Sequence, residues 1–116
     1  ESHVDRSIEN SKDFIDTNVL GVENLLSCSL KKNIKTFIQI STDEVFGSLK
    51  TGFANESARL NPSSPYSASK ASAELLINSY HKTYKINTNI IKDYIDIDPD
   101  TSRRIEYCND CGLTLE

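Results

Sequence analysis

The strongest constraint on the fold is a short β-rich run that stands between two long helical patterns. Residues 36–41, Thr-Phe-Ile-Gln-Ile-Ser, have too few polar positions for an exposed strand and are typical of a buried parallel one. Apolar residues recur at helical spacing on both sides, which predicts helices over residues 11–32 and 64–84. A second short strand is predicted over residues 88–91. This helix-strand-helix-strand order predicts a doubly wound α/β domain with a parallel sheet.

The remaining segments are predicted to be connections and a tail. Residues 1–10 are polar with few apolar anchors, so we expect a loop that leads into the first helix. Residues 47–63 contain glycine, asparagine and proline, which predicts a surface loop. Aspartates crowd the chain after residue 91. We therefore divide it into a domain over 1–91 and a divergent tail of poorly specified structure over 92–116.

The composition narrows the classes of function. A chain of 116 residues forms one domain at most, and its net charge of -4 offers no basic surface to nucleic acid. No apolar run is long enough to span a membrane, and no signal-peptide pattern opens the chain. The chain has only three cysteines, too few for a disulfide scaffold, which indicates a reducing compartment. The predicted location is therefore the cytoplasm. The chain begins at Glu1 and contains no methionine, so we expect an internal segment of a longer protein.

Candidate chemistry begins where the first strand ends. Thr42, Asp43 and Glu44 follow the apolar run directly, and ligands bind at the carboxyl ends of strands in open α/β sheets. Two adjacent carboxyl groups with different burial can divide into an acid and a base. Taken alone, the same residues are more typical of a solvated acidic turn.

A second candidate pair lies on the following helix. Tyr66 and Lys70 are four residues apart and share one helical face. A lysine ammonium near a phenol favours the phenolate, and such a tyrosine can take a proton from a substrate hydroxyl. Tyrosine and lysine also occur at this spacing by chance on solvated helices. The pair gains weight because the strand end and the start of the next helix converge on one crevice.

Four segments together resemble a known family. Residues 40–47, Ile-Ser-Thr-Asp-Glu-Val-Phe-Gly, resemble the signature of dTDP-glucose 4,6-dehydratases, which belong to the extended short-chain dehydrogenase/reductases. Residues 62–72 resemble the Tyr-x-x-x-Lys segment of that family, and residues 1–7 and 14–21 resemble its middle motifs. The four occur in the family's order and spacing. The resemblance implies a partial Rossmann-like doubly wound parallel sheet that lacks the N-terminal phosphate-binding βαβ unit.

The resemblance also implies a role for each candidate residue. Tyr66 would deprotonate the sugar 4-hydroxyl as hydride passes to NAD, and Lys70 would hold the nicotinamide ribose and lower the pKa of Tyr66. Glu44 would remove the C5 proton, and Asp43 would protonate the departing 6-hydroxyl. Thr42 would bind the substrate 4-hydroxyl. The implied activity is the dehydration of dTDP-glucose to dTDP-4-keto-6-deoxyglucose, a lyase reaction.

Further residues and partners follow from the same resemblance. Glu1, Ser2 and Thr17 would line the NAD site, and Ser2 would also contact the nucleotide-sugar substrate. Asn18 resembles a helix asparagine that orders water and backbone near the lysine, although it also fits an ordinary helical position. The helices over 11–32 and 64–84 resemble those that pair subunits in the family, so a homodimer is implied.

The sequence departs from the family in two places. No Gly-x-x-Gly-x-x-Gly turn, which binds the pyrophosphate of the dinucleotide in this family, occurs in the chain. Because most of the dinucleotide site is therefore missing, we expect little or no catalytic activity from these residues alone. After residue 91 the family's substrate-binding turn is replaced by Lys92-Asp93-Tyr94. Two alternatives to a dehydratase remain. One is a nucleotide-sugar epimerase or decarboxylase of the same superfamily, although those enzymes generally lack a pair like Asp43-Glu44. The other is a non-catalytic dimerising segment.

The tail contains the pair Cys108 and Cys111, which has two explanations. The spacing suits half of a zinc site or a redox pair, but one pair supplies only two ligands. His3 and His81 are not spaced as partners. We favour an incidental tail and predict no metal site.

Overall fold

The computed structural model describes residues 1–48, 54–55, 57–97, 104–107 and 114–115, and its centre is a pair of parallel strands. Strand β1 (Phe37–Thr42) pairs with β2 (Thr88–Ile97) in a register that runs from Phe37–Thr88 to Thr42–Asp93. Helix α3 (Gly21–Lys31) precedes β1, and helix α4 (Pro65–Tyr84) connects β1 to β2. The predicted helix-strand-helix-strand order is therefore confirmed.

The predicted helix over residues 11–32 is present, with a wider turn inside it. It consists of α2 (Ser11–Ile15), a π-helical segment (Asp16–Leu20) and α3, which follow one another without a break. Asn33 adopts a positive φ of 50° directly after this helix, a conformation that asparagine tolerates better than most residues.

Residues 4–9 form a helix where the sequence predicted a loop. Helix α1 (Val4–Glu9) has one buried side chain, that of Ser7. Its hydroxyl donates to the Val4 carbonyl at 2.6 Å and accepts the Tyr66 backbone N–H at 3.0 Å. The helix is thus bonded to the first turn of α4, a long-range contact that local polarity does not reveal.

Helix α4 begins at a capping box at Ser64, the residue at which the sequence predicted this helix to start. The Ser64 side chain accepts the Ser67 backbone N–H at 3.1 Å, and the Ser67 hydroxyl accepts the Ser64 backbone N–H at 3.0 Å. Pro65 occupies the first helical position, where its missing N–H costs nothing. The helix ends before Lys85, which has a positive φ of 61°.

The core lies between the helices and one face of the parallel strands. One buried cluster joins α3 to α4 through Val22, Leu26, Ala73 and Ile77, and Phe37 and Ile90 pack against it. A second cluster joins the residues after β1 to α4 through Val45, Phe46 and Ala71.

Strand β1 is parallel to β2, as predicted, but the expectation that it is buried holds for only part of it. Ile38 and Ile40 are 58% and 53% exposed, whereas Ser41 and Thr42 are buried. The physical reason is that the helices α3 and α4 pack on one face of β1, and alternate side chains point to the other face.

Strand β2 extends beyond its predicted end at residue 91 and reaches Ile97. Beyond the parallel pairing it pairs antiparallel with β3 (Arg104–Tyr107), which pairs antiparallel with β4 (Thr114–Leu115). The division into residues 1–91 and 92–116 stays a prediction. The Cys108–Cys111 segment lies outside the described residues.

Within the described part of the chain, the helices are too short or too polar to cross a lipid bilayer.

Candidate functional site

The residues after β1 form a short 3₁₀ turn that presents two carboxyl groups. The turn spans Asp43–Phe46, and Thr42 caps it by accepting the Glu44 backbone N–H at 3.3 Å. Thr42 also donates to the Asp43 carboxylate at 3.3 Å. Val45 and Phe46 are buried and anchor the turn, so that Asp43 is half-buried and Glu44 is exposed.

Gly47 closes this turn in a conformation that other residues avoid. Its φ is 73°, and an added Cβ would lie 2.2 Å from the Asn61 carbonyl oxygen. The Asn61 backbone N–H donates to the Val45 carbonyl at 2.9 Å. The glycine therefore allows the chain to leave the turn while staying close against the segment that precedes α4.

Tyr66 is buried at the start of α4. Its ring meets Phe14 edge to face, with the ring centroids 6.3 Å apart and the planes at 78°. Its backbone is held at the same time by Ser7 and by Ser69, whose hydroxyl donates to the Tyr66 carbonyl at 2.7 Å. The first turn of α4 is thus fixed by two helices from the N-terminal part of the chain.

Lys70 joins α4 to the end of β1. Its Nζ donates to the Ile40 carbonyl at 2.7 Å, two residues before Thr42. Burial lowers the pKa of Lys70 from its ordinary value, and the negative charge of Glu74 opposes this shift. The structure therefore brings Lys70 to the strand that leads into Thr42, Asp43 and Glu44, as the sequence predicted.

The two acidic residues of the turn differ in their surroundings. Glu44 is exposed, but partial loss of solvation beside the protein surface raises the pKa of its carboxyl group above the ordinary value, and the neighbouring Asp43 charge adds to the shift. A carboxyl group with a raised pKa is a stronger base once it is ionised.

The raised pKa of Glu44 predicts a pH dependence of stability. Since the folded-state pKa exceeds the unfolded one, this group's contribution is present below the unfolded pKa and is lost as the pH rises through the folded pKa. Replacing Glu44 with glutamine removes that loss. We therefore expect Glu44→Gln to become more stable relative to the unmodified chain as the pH rises from about 4 to about 7. Urea unfolding of both proteins at each pH measures the difference in their free energies of unfolding.

Glu23 supplies a control of opposite sign. Hydrogen bonds from Ser27 and Tyr80 lower the pKa of its carboxyl group, so its contribution to stability is lost as the pH falls through the folded pKa. This change lies below the ordinary carboxyl pKa, so Glu23→Gln should lose stability relative to the unmodified chain as the pH rises from about 2 to about 5. Two variants that change in the same direction would contradict the prediction.

Of the N-terminal residues predicted to line the NAD site, only Glu1 is bonded through Asn18 to the helix that carries Tyr66 and Lys70. Ser2 and Thr17 are exposed. The Glu1 backbone is bonded to Asn18, whose side-chain amide donates to the Glu1 carbonyl at 2.9 Å and to Ser69 at 3.0 Å. Asn18 is buried inside the π-helical segment, so it links the start of the chain to α4.

Sequence reasoning missed a buried charged network behind the turn. Glu74 accepts a hydrogen bond from the Ser41 hydroxyl and forms an ion pair with Lys92 at 3.3 Å. The available signal was the spacing of Lys70 and Glu74, four residues apart, which also fits a solvated helix face. Lys92 lies in the stretch that is predicted to be a divergent tail, so the sequence does not predict its pairing with Glu74.

A surface groove of about 290 Å³ lies at the amino ends of β1 and β2, between the C-terminal ends of α3 and α4. It is lined mainly by residues 29–35 and 84–87. It brings together none of the predicted site residues.

Sequence comparisons agree with the resemblance. The family model for GDP-mannose 4,6 dehydratase matches residues 1–96. A dTDP-glucose 4,6-dehydratase of Streptomyces antibioticus is 47% identical over 92 residues, which cover 79% of this chain and 28% of that protein. The chain thus spans less than a third of the length of this relative.

Solved structures support the same assignment. A double-mutant form of DesIV, a dTDP-glucose 4,6-dehydratase from Streptomyces venezuelae with NAD and DAU bound, has a TM-score of 0.77 and 41% identity, over 81% of this chain and 30% of that one. A UDP-glucose 4-epimerase of Thermus thermophilus in complex with NAD also has a TM-score of 0.77, at 26% identity, over 79% and 30% of the two chains. The partial Rossmann-like fold is therefore confirmed, and the chain belongs to the GDP-mannose 4,6 dehydratase family.

Proposed function

We propose that this chain carries the acid-base groups of an NAD-dependent dTDP-glucose 4,6-dehydratase. The observation that carries the proposal is the Asp43-Glu44 turn at the carboxyl end of a parallel strand, joined to α4 by the bond from Lys70 to Ile40. Elimination of water needs an acid and a base in addition to a tyrosine, and this turn supplies two carboxyl groups. The names of the Streptomyces relatives support the choice of substrate.

The residues present fit the nicotinamide end of NAD. Lys70 has three N–H donors and gives one to Ile40, so two remain for a ribose. The glycine-rich turn that would hold the pyrophosphate does not occur among the 116 residues. Bound NAD supplies a hydride acceptor at the start of the reaction and a hydride donor at its end.

The protein groups move the protons. Tyr66 takes the proton of the sugar 4-hydroxyl, and Thr42 holds that oxygen. Loss of that proton, together with loss of the C4 hydrogen as hydride, leaves a 4-keto group, which acidifies the C5 proton. Glu44 removes the C5 proton, while Asp43 protonates the 6-hydroxyl so that water departs. The raised pKa of Glu44 supports its assignment as the base.

The second candidate is a nucleotide-sugar 4-epimerase, favoured by the structural similarity to the Thermus thermophilus enzyme. Epimerisation needs the tyrosine and the hydride acceptor but no acid-base pair for elimination. The Asp43-Glu44 turn therefore favours dehydration.

A chimeric enzyme tests the proposed reaction. Residues 1–96 of this chain replace the corresponding segment of the Streptomyces antibioticus dehydratase, which supplies the rest of the NAD and nucleotide sites. We expect the chimera to convert dTDP-glucose to the 4-keto-6-deoxy product and the 116-residue chain by itself to form no measurable product. Product formation is followed by chromatography.

The matched variant is the chimera with Asp43→Asn and Glu44→Gln, which keeps the shape of the turn and removes both acid-base groups. We expect it to lose dehydration at least about a hundredfold. A well-folded chimera that only epimerises the sugar, or a double variant with full dehydratase activity, would refute the proposal.

We also propose that the protein forms a homodimer through its helices. Ile15, Leu25 and Leu75 are at least half exposed on α2, α3 and α4. Apolar side chains of this size on neighbouring helices are typical of a surface that another subunit covers. The cytoplasmic location stays a prediction from the cysteine content.

A further inference from the structure

Glu74 is a buried carboxylate whose partners come from both parallel strands. Only 3% of the residue is exposed. It accepts a hydrogen bond from Ser41 on β1, and its other carboxylate oxygen lies 3.3 Å from Lys92 Nζ on β2. A buried charge is costly unless it is paired and hydrogen-bonded, and both requirements are met here. Glu74 therefore connects α4 to β1 and β2 at one point.

The register of the sheet places this connection at the candidate site. Ser41 and Lys92 are direct partners across β1 and β2, and the next pair is Thr42 with Asp93. Lys92 Nζ also lies 4.0 Å from the centroid of the Phe46 ring, within range of a cation–π interaction. Because Phe46 belongs to the 3₁₀ turn, the network reaches the element that carries both acid-base groups.

Glu74 acts on the helix side of the site as well. It follows Lys70 by one helical turn, and its negative charge favours the charged form of that lysine against the effect of burial. Lys70 in turn bonds to the Ile40 carbonyl, next to Ser41. Two neighbouring residues of β1 are thus held by two neighbouring turns of α4.

We propose that Glu74 is a positioning residue, which with Ser41 and Lys92 fixes α4 against the turn that carries the acid-base groups and sets the electrostatic environment of Lys70. The inference rests on the proposed function, because that function gives the positioned groups their roles. It assigns to Glu74 no contact with substrate or NAD.

The test uses the 116-residue chain and the variant Glu74→Gln, which keeps the size of the side chain and removes its charge. NMR titration of the Lys70 side chain should show a pKa lower than in the unmodified chain. Exchange of the Glu44 and Gly47 backbone amides should accelerate about tenfold, as expected when a hydrogen bond to a charged group is lost. Glu23→Gln is the matched control, since it removes a carboxylate that also accepts bonds from hydroxyl groups.

A lower Lys70 pKa and faster exchange in Glu74→Gln, with neither change in Glu23→Gln, support the proposal. Two variants that behave alike overturn it. If Glu74→Gln does not fold, Ser41→Ala removes one bond of the network, and unchanged exchange of the turn amides in that variant overturns the proposal. None of these readouts measures turnover, so an inactive chimera contradicts the proposed function, whereas these readouts report separately on whether Glu74 holds α4 against the turn.

Discussion

Replacing Tyr66 with phenylalanine in the chimeric enzyme is expected to lower kcat about a thousandfold, within the range that general acid-base groups contribute. The change removes the hydroxyl that is proposed to take the proton of the sugar 4-hydroxyl. It keeps the ring, so the edge-to-face contact with Phe14 should persist. We therefore expect KM to stay within about threefold, since the loss falls on the transition state. Steady-state formation of the 4-keto product measures both constants.

Tyr80→Phe is the matched control for this prediction. Tyr80 lies on the same helix and its hydroxyl donates to Glu23 at 3.0 Å, so the control removes a hydrogen-bonded phenol outside the turn. Its kcat should stay within about twofold of the unmodified chimera. If Tyr66→Phe retained more than about a tenth of the activity, another group would have to be the base.

Replacing Ile77 with alanine is expected to lower the free energy of unfolding by about 3 kcal/mol. Ile77 is fully buried in the cluster that joins α3 to α4, so the substitution loses apolar burial and leaves a cavity beside Leu26. A loss of this size is a large part of the total stability of a small domain. Urea unfolding followed by circular dichroism measures it, provided that the m-value is unchanged.

Leu75→Ala is the control for the core prediction, because Leu75 lies on the same helix and is 61% exposed. Its free energy of unfolding should change by less than about 0.5 kcal/mol. Equal losses at the two positions would show that helix propensity, and not burial, dominates the effect. In a dimer Leu75 could also be covered, so the measurement is made at protein concentrations where the chain is monomeric.

The elements that were predicted correctly are those whose signal is local. The capping residue Ser64 and the proline after it mark the start of α4, and the β-rich run after Thr36 marks β1. Helix α1 was missed because its stability depends on the bond between Ser7 and Tyr66, which are 59 residues apart in sequence. The extent of β2 was missed because its continuation is decided by pairing with β1 and β3.

In the candidate site, too, the residues with a local sequence signal were identified and those that depend on long-range contacts were not. Family motifs identify Thr42, Asp43 and Glu44 on the turn and Tyr66 and Lys70 on the helix, and the structure brings Lys70 to the end of β1. Glu74 and Lys92 were not found because their importance comes from burial. A carboxylate and an amine that lie 18 positions apart show no pattern until the strand register places Lys92 opposite Ser41.

The capping box at the start of α4 sets the rotational phase of that helix. Each residue of an α-helix turns the following one by about 100°, so a start displaced by one residue would rotate every side chain by that angle. Tyr66, Lys70 and Glu74 recur every four residues, so each is rotated by only about 40° from the one before it and the three lie on one broad face of α4. Ser64 and Ser67 lie within one turn of Tyr66, so two small hydroxyl groups fix the point at which the helix carrying this row of candidate side chains begins.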